Sequence, residues 1–268
     1  MKIAFIGGGT MAQAIISGLT KSKNKNDIIV SDPEEKIRNK INEKFKLNTT
    51  DDNTIAIKNS DLIILCIKPQ NFKLVSKEIN EKIKENQTVV SIMAGTKINT
   101  ISNSLSTKKI IRIMPNTPAQ IGKGISAWYS TSSVKKESKL VVKEILCLLG
   151  DEIEFEEEKY IDMATAVSGS GPAYVFLFIE FLEKVAKEIG LPDDKIRQLV
   201  IKTISGSIEL LDNGNKSPLE LRLLVTSPGG TTEAGINSMI ETKFHQSIIT
   251  GVRKAYDRGN QLAKEENL

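Results

Sequence analysis

The sequence is poor in the side chains that most often carry hydrolytic or metal chemistry. One histidine and two cysteines occur in 268 residues. The single His245, between Phe244 and Gln246 in a helical pattern, reads as a surface or packing residue. No Ser-His-Asp set, no cysteine/histidine metal cluster and no metal ion are therefore expected. Cys66 ends an apolar strand pattern and Cys147 falls on the apolar side of a helical pattern, so both read as reduced thiols of a cytoplasmic protein. Long hydrophobic runs are also missing. The longest, Ala173 to Ile179, is far too short to span a bilayer, and Met1 leads straight into a strand pattern without the parts of a signal peptide. Charge of one sign is scarce too: 37 Lys and Arg against 33 Asp and Glu leave +4. The densest basic patch is only Lys21, Lys23 and Lys25, so neither nucleic acid nor membrane is expected as a partner. Trp128, the only tryptophan, reads as a packing residue.

What is present is a chain long enough for two domains. Lys2 to Ile6 is a short apolar run that reads as a buried strand. It is followed by Gly7-Gly8-Gly9-Thr10-Met11-Ala12 and an apolar helical phase through Ile15, Ile16 and Leu19. Strand, G-x-G-x-x-A turn and helix in that order form the dinucleotide fingerprint in its required context. Gly7 permits the tight turn, Gly9 lets the backbone approach a pyrophosphate, and Ala12 allows close packing of helix on strand. A second strand, Ile28 to Ser31, delivers Asp32 at the distance expected of a residue that bonds the ribose 2′-hydroxyl. Asp32-Pro33-Glu34-Glu35 is equally a helix start with Asp32 as its cap. An aspartate facing the ribose disfavours a 2′-phosphate and Lys36 and Arg38 offset part of this, so NADH and NADPH both stay open, with the balance toward NADH.

Further strands are expected at Asp61–Ile67, Thr88–Ile92 and Lys109–Met114. Their ends, Lys68-Pro69-Gln70-Asn71, Met93-Ala94-Gly95 and Pro115-Asn116-Thr117-Pro118, fall on the carboxyl edge of a parallel sheet, where ligands bind in such folds. Taken one at a time, each is also explained as a plain strand-to-helix loop. Ile125 to Tyr129 is expected to pair antiparallel at the sheet edge, with a helix over 134–149 and a last strand around Glu152 to Phe155. Glu156-Glu157-Glu158 marks a boundary and reads as a solvated helix entry. The fold class is thus α/β: a doubly wound Rossmann-type domain over 1–157, mostly parallel with an antiparallel edge, then a helical domain over 158–268.

The helical part has one long pattern from 160 to 189, interrupted by Val167-Ser168-Gly169-Ser170-Gly171-Pro172-Ala173-Tyr174, where a kink or a gap in hydrogen bonding is expected. Tyr174 to Ile179 is apolar on every side and needs burial all round. An intertwined helical dimer supplies it. Ser217-Pro218-Leu219-Glu220 is a capping box. Its helix leads to Thr226-Ser227-Pro228-Gly229-Gly230-Thr231-Thr232-Glu233-Ala234-Gly235, with hydroxyls, two flexible positions and a helix start. The stretch suits a carboxylate; it also suits a plain connector.

Together the glycine turn, Lys68-Pro69, Pro115-Asn116-Thr117-Pro118, Ser168 to Tyr174 and Thr226 to Thr232 resemble the pyrroline-5-carboxylate reductases over essentially the whole chain. The last motif is the most specific. The resemblance implies reduction of 1-pyrroline-5-carboxylate to L-proline by NADPH or NADH, and dimers that assemble into a decamer. It implies that Ser227, Gly229, Gly230, Thr231 and Thr232 hold the substrate carboxylate, with Thr232 reaching the ring nitrogen as the catalytic residue. Gly7, Gly9, Thr10, Met11, Ala12, Asp32, Lys68, Pro69, Ala94, Gly95 and Asn116 would then bind the cofactor. A β-hydroxyacid dehydrogenase shares the architecture, but the places of its lysine and asparagine, counted from Gly169, hold Val175 and Phe178, which cannot take a hydroxyl proton. A nucleotide-sensing protein without turnover is the alternative of a different class.

Overall fold

The computed structural model of the chain describes residues 1–22 and 27–265; Lys23 and Lys25 of the basic patch lie outside them. It divides into two compact units, 1–172 with 254–268, and 173–253. The strand pattern ends well before this division, and the helices that follow contribute to both units.

The first unit is built on an eight-stranded sheet in the order β3-β2-β1-β4-β5-β6-β7-β8. Its strands are β1 (Lys2–Ile6), β2 (Asp27–Ser31), β3 (Asn48–Thr50), β4 (Leu62–Leu65), β5 (Thr88–Ser91), β6 (Ile110–Met114), β7 (Gly124–Ser130) and β8 (Gly150–Glu154). All neighbours are parallel except β6 and β7. Strand β3 was not expected: Asn48, Thr49 and Thr50 carry no apolar signal, and the segment becomes a strand only because β2 offers an open edge. The antiparallel strand β7 is as expected, but it is not the outermost, since β8 adds beside it in parallel.

Side-chain alternation divides the central strands between two cores. Ile3, Phe5, Leu62 and Ile64 face one layer, against helices α1 (Thr10–Lys21) and α6 (Lys136–Cys147). Ala4, Ile6, Ile63 and Leu65 face the other, against α3 (Asn53–Ile57), α4 (Phe72–Ile79) and α5 (Ile98–Leu105). Burial on both faces is why these strands read as continuous apolar runs. Trp128 is 1 % exposed, and its indole donates to Glu152 Oε2 at 2.6 Å. Cys147 departs from expectation: it lies at the end of α6 and is exposed.

In the acidic run before the helical part Glu156 and Glu157 are exposed as expected, but Glu158 is drawn into a buried ion pair. Arg112 on β6 is 1 % exposed, and its guanidinium reaches Glu158 Oε1 at 2.8 Å and Asp162 Oδ1 at 2.6 Å. Glu158 also accepts the Ile98 amide at 2.8 Å, and Lys97 lies 3.8 Å from Asp162. A buried guanidinium is tolerated only with such partners. The cluster fixes α7 (Lys159–Ala164) to the sheet on the face of Ile110. After α7 the expected gap takes the form of a wide turn over Thr165–Gly169, closed by Ser170 N–H donating to Thr165 O at 2.8 Å. Pro172, without an N–H, stands at the second position of α8 (Gly171–Glu188). A Cβ on Gly169 would fall 2.9 Å from Met114 Cε, so this turn rests on the carboxyl end of β6.

The second unit holds most of α8, then α9 (Asp193–Asp212), α10 (Pro218–Leu224), α11 (Thr231–Glu241) and the start of α12 (Phe244–Glu265). Its own core is small, centred on Ala186, Ile196 and Val200. Phe176 is 62 % exposed, Phe181 54 % and Ile208 61 %. Lys159–Glu188 contains an 18-residue stretch of mean hydropathy 1.3, long and apolar enough by those two measures to cross a membrane. The capping box at Ser217 and Glu220 forms as expected.

Candidate dinucleotide and substrate sites

The first candidate site follows β1. Gly7 takes φ +95°, and a Cβ there would fall 2.6 Å from the Cys66 carbonyl oxygen at the end of β4. Only glycine can make this turn between the two central strands. Gly8, to which the sequence assigned no role, is equally constrained: its Cβ would fall 2.5 Å from Ile41 Cδ1 and 2.8 Å from Ile37 Cγ2, both on α2 (Glu35–Phe45). The signal was the uninterrupted triple glycine. Around Gly9, by contrast, nothing comes within 4 Å of an added Cβ. Gly9 is the N-cap of α1 and makes no side-chain cap bond, and no acidic residue stands in the first turn. The amides of Thr10, Met11 and Ala12 therefore begin a helix with open space before it, which suits an anion. Ala12 is fully buried against the sheet. The donor set and the open space together fit a pyrophosphate.

Asp32 is placed beside this turn but does not cap α2. Its Oδ2 accepts the Gly8 amide at 2.8 Å and its Oδ1 the Glu34 amide at 2.9 Å, while the N-cap of α2 is Glu34, which makes no side-chain cap bond. The strand end turns Asp32 back toward the glycines, so the helix begins two residues later than the cap signal implied.

Along the same carboxyl edge stand the other expected residues. Lys68 is exposed and Pro69 opens a short 3₁₀ turn. Ala94 is half-buried. Gly95, at φ +79°, packs against the last turns of α12, where Leu262 Cβ lies 3.4 Å from its would-be Cβ. Asn116 carries both a donor and an acceptor; its Oδ1 accepts the Ile125 amide at 3.0 Å, which leaves the amide N–H₂ for a ligand.

The second candidate site precedes α11. Ser227 O accepts the Gly230 amide at 3.0 Å across Pro228 and Gly229, the latter at φ +68°. Proline second and a positive-φ glycine third are what a tight turn of this kind demands. The Gly229 amide donates to Glu233 Oε2 at 2.8 Å. Both glycine amides are thus engaged, and the glycines shape the loop rather than offering donors. The uncapped start of α11, with Gly230 as N-cap and no side-chain cap bond, passes the donor role to the amides of Thr231 and Thr232. The side chains of Ser227, Thr231 and Thr232 are exposed there. Thr226 is turned away, its hydroxyl donating to Arg222 O at 2.6 Å. His245 is exposed. Among the described residues there is no group of three or more His, Cys, Asp or Glu able to hold a metal ion.

The chain is similar to known proteins over nearly its whole length. A family model described as pyrroline-5-carboxylate reductase dimerisation matches residues 158–262, and one described as NADP oxidoreductase coenzyme F420-dependent matches residues 2–95. Pyrroline-5-carboxylate reductase 2 of Bacillus subtilis is 33 % identical, with 98 % of this chain and 96 % of the relative covered. The Pseudomonas aeruginosa pyrroline-5-carboxylate reductase is 34 % identical, at 98 % and 97 % coverage. Among solved structures, the pyrroline-5-carboxylate reductase of Coxiella burnetii superposes with a TM-score of 0.88 at 32 % identity, over 97 % of this chain and 98 % of that one. The Plasmodium falciparum pyrroline carboxylate reductase, solved with NADP bound, gives 0.89 at 28 % identity over 98 % of each chain.

Proposed function

We propose a function from one premise: this chain belongs to the pyrroline-5-carboxylate reductase family. It is an NAD(P)H-dependent oxidoreductase that reduces 1-pyrroline-5-carboxylate to L-proline, the last step of proline biosynthesis. The observation that carries this reading is the presence in one chain of two uncapped helix starts, each behind a glycine turn: one before α1 and one, lined with hydroxyls, before α11.

The cofactor supplies a hydride when bound. The imine carbon of the protonated substrate would take that hydride as the π pair of the C=N bond passes to nitrogen, which already carries its proton. The electrophile needs no metal and no strong acid, so the work of the chain is to position. The amides of Thr231 and Thr232 and the Ser227 hydroxyl receive the carboxylate, Gly229 and Gly230 hold the loop, and the Thr232 hydroxyl orients the ring nitrogen. Gly7, Gly9, Thr10, Met11 and Ala12 hold the pyrophosphate, and Asp32 the adenosine ribose. Lys68, Pro69, Ala94, Gly95 and Asn116 line the remainder of the cofactor.

In this reading residues 1–157 form the dinucleotide domain and 158–268 the dimerisation and substrate domain. A second copy covers the apolar faces of α8 and α9: the dimerisation model spans this region, and exposed aromatic surface of this extent calls for a partner. Dimers assembling into a decamer, a cytoplasmic location, and the absence of nucleic-acid or membrane partners belong to the same proposal. The test is loss of NADH or NADPH absorbance on adding 1-pyrroline-5-carboxylate. Thr232→Ala should lower kcat by about tenfold without abolishing turnover; unchanged kinetics remove Thr232 from the site. Nucleotide binding without oxidation of either cofactor would favour a sensor.

A further inference from the structure

We infer that the end of β2 selects NADH and rejects the 2′-phosphate of NADPH, with Asp32 as the discriminating residue; the inference rests on the dinucleotide reading of the Gly7–Ala12 turn. Asp32 is 7 % exposed, and its carboxylate is held from two sides by the Gly8 amide at 2.8 Å and the Glu34 amide at 2.9 Å. It has little freedom to swing away from an incoming ligand. Gly8 cannot retreat either, because Ile37 and Ile41 of α2 close the space behind it. Each carboxylate oxygen keeps acceptor capacity beyond its one backbone donor. A ribose 2′-hydroxyl is a donor and can add to it. A 2′-phosphate brings only acceptors and negative charge.

Acceptance of a 2′-phosphate at such a strand end calls for an arginine free to meet it. Arg38 is the guanidinium at this edge, and it is already committed. Its Nη1 donates to Asp32 O at 2.8 Å and to Pro33 O at 2.9 Å, and its Nη2 lies 3.9 Å from Asp51 Oδ2. Arg38 therefore ties down the loop that presents Asp32, and its charge is shared with a second carboxylate. Reaching a phosphate would cost it two carbonyl bonds. Of the two cations that might relieve the repulsion, only Lys36, exposed on α2, is uncommitted.

The test is isothermal titration of the full-length protein with NADH and with NADPH separately, no imine substrate present, on the parent and on Asp32→Asn. Asparagine keeps an oxygen for the Gly8 amide and removes the charge. NADH should bind the parent at least about tenfold more tightly than NADPH, the size of a like-charge contact in a partly solvated site. Asp32→Asn should bring the two within about threefold, mainly by tightening NADPH, and added salt should narrow the parent's gap. Equal affinities in the parent, or tighter NADPH, overturn the inference and leave the dinucleotide reading standing. An unchanged ratio in a folded Asp32→Asn protein overturns the role of Asp32. If that variant does not fold, the parent's ratio alone decides. Binding of neither nucleotide overturns the dinucleotide reading and this inference with it.

Discussion

Gly7 and Gly9 are two residues apart, yet replacing each by alanine should damage different properties. At Gly9 the backbone sits at φ −64°, ψ −175°, which any residue adopts, and an added methyl meets nothing within 4 Å. Alanine is a poorer N-cap than glycine by up to about 1 kcal/mol, and the loss of unfolded-chain freedom returns about 0.4–1 kcal/mol. The folded protein should therefore melt within about 4 °C of the parent. The methyl nevertheless stands in the open space before the Thr10 and Met11 amides. Losing even one charge-assisted hydrogen bond to a phosphate is a loss of about 1.5–3 kcal/mol, or roughly 10- to 100-fold in affinity. At Gly7 the order reverses. A φ of +95° and a methyl 2.6 Å from the Cys66 carbonyl oxygen impose strain of about 3 kcal/mol or more, and the melting temperature should fall by at least about 6 °C. Thermal melts and fluorescence titration with NADH measure both quantities on the same samples. A folded Gly9→Ala protein that binds within twofold of the parent would refute the placing of the pyrophosphate at α1. A Gly9→Ala melt as depressed as that of Gly7→Ala would refute the geometric argument itself.

Arg112→Leu should lower stability in urea by about 3 kcal/mol, because buried Asp162 keeps only Lys97 at 3.8 Å and Glu158 only the Ile98 amide. The triple variant that also carries Glu158→Gln and Asp162→Asn should recover a large part of the loss; an unchanged urea midpoint for the single variant contradicts the pairing. The two thiols should differ in reactivity. Cys147 is exposed, whereas Cys66 is half-buried against the core, and its burial pushes the thiol above its ordinary value. A disulfide reagent at mildly alkaline pH should modify Cys147 rapidly and Cys66 at least about tenfold more slowly, and equal rates in the native protein would refute the burial of the Cys66 thiol.

The parts of the fold legible in the sequence are those whose signal is local. Strands buried on both faces announce themselves as apolar runs, and the Gly7–Ala12 turn is read from its own six residues. Ser217 and Glu220 cap α10 by a bond spanning three positions. What was not legible depends on distant partners. Arg112 stands in an apolar strand, and no spacing rule connects it to its partners, Glu158 just before α7 and Asp162 on it. Glu158 looked solvated because its neighbours Glu156 and Glu157 are acidic and nothing in that run reveals Arg112. Asp32 matched a cap signal, and the competing Gly8 amide prevailed. In the substrate loop the glycines read as flexible positions before a helix start; that Glu233 and Ser227 O engage their amides was not legible. The apolar circumference of α8 was read correctly as a demand for burial, one that the chain's own second unit meets only in part.

The central place of β1 bears on the order in which the protein can assemble during synthesis. Lys2–Ile6 pairs with β2 on one side and with β4 on the other, so its second ladder must wait until Leu65 has been made. At about 5–20 residues per second, this apolar strand spends several seconds with an unsatisfied edge. The delay is inherent in the strand order. An apolar β-prone segment held open for seconds can pair with a neighbouring chain, which makes yield in the cell sensitive to synthesis rate and chaperone supply.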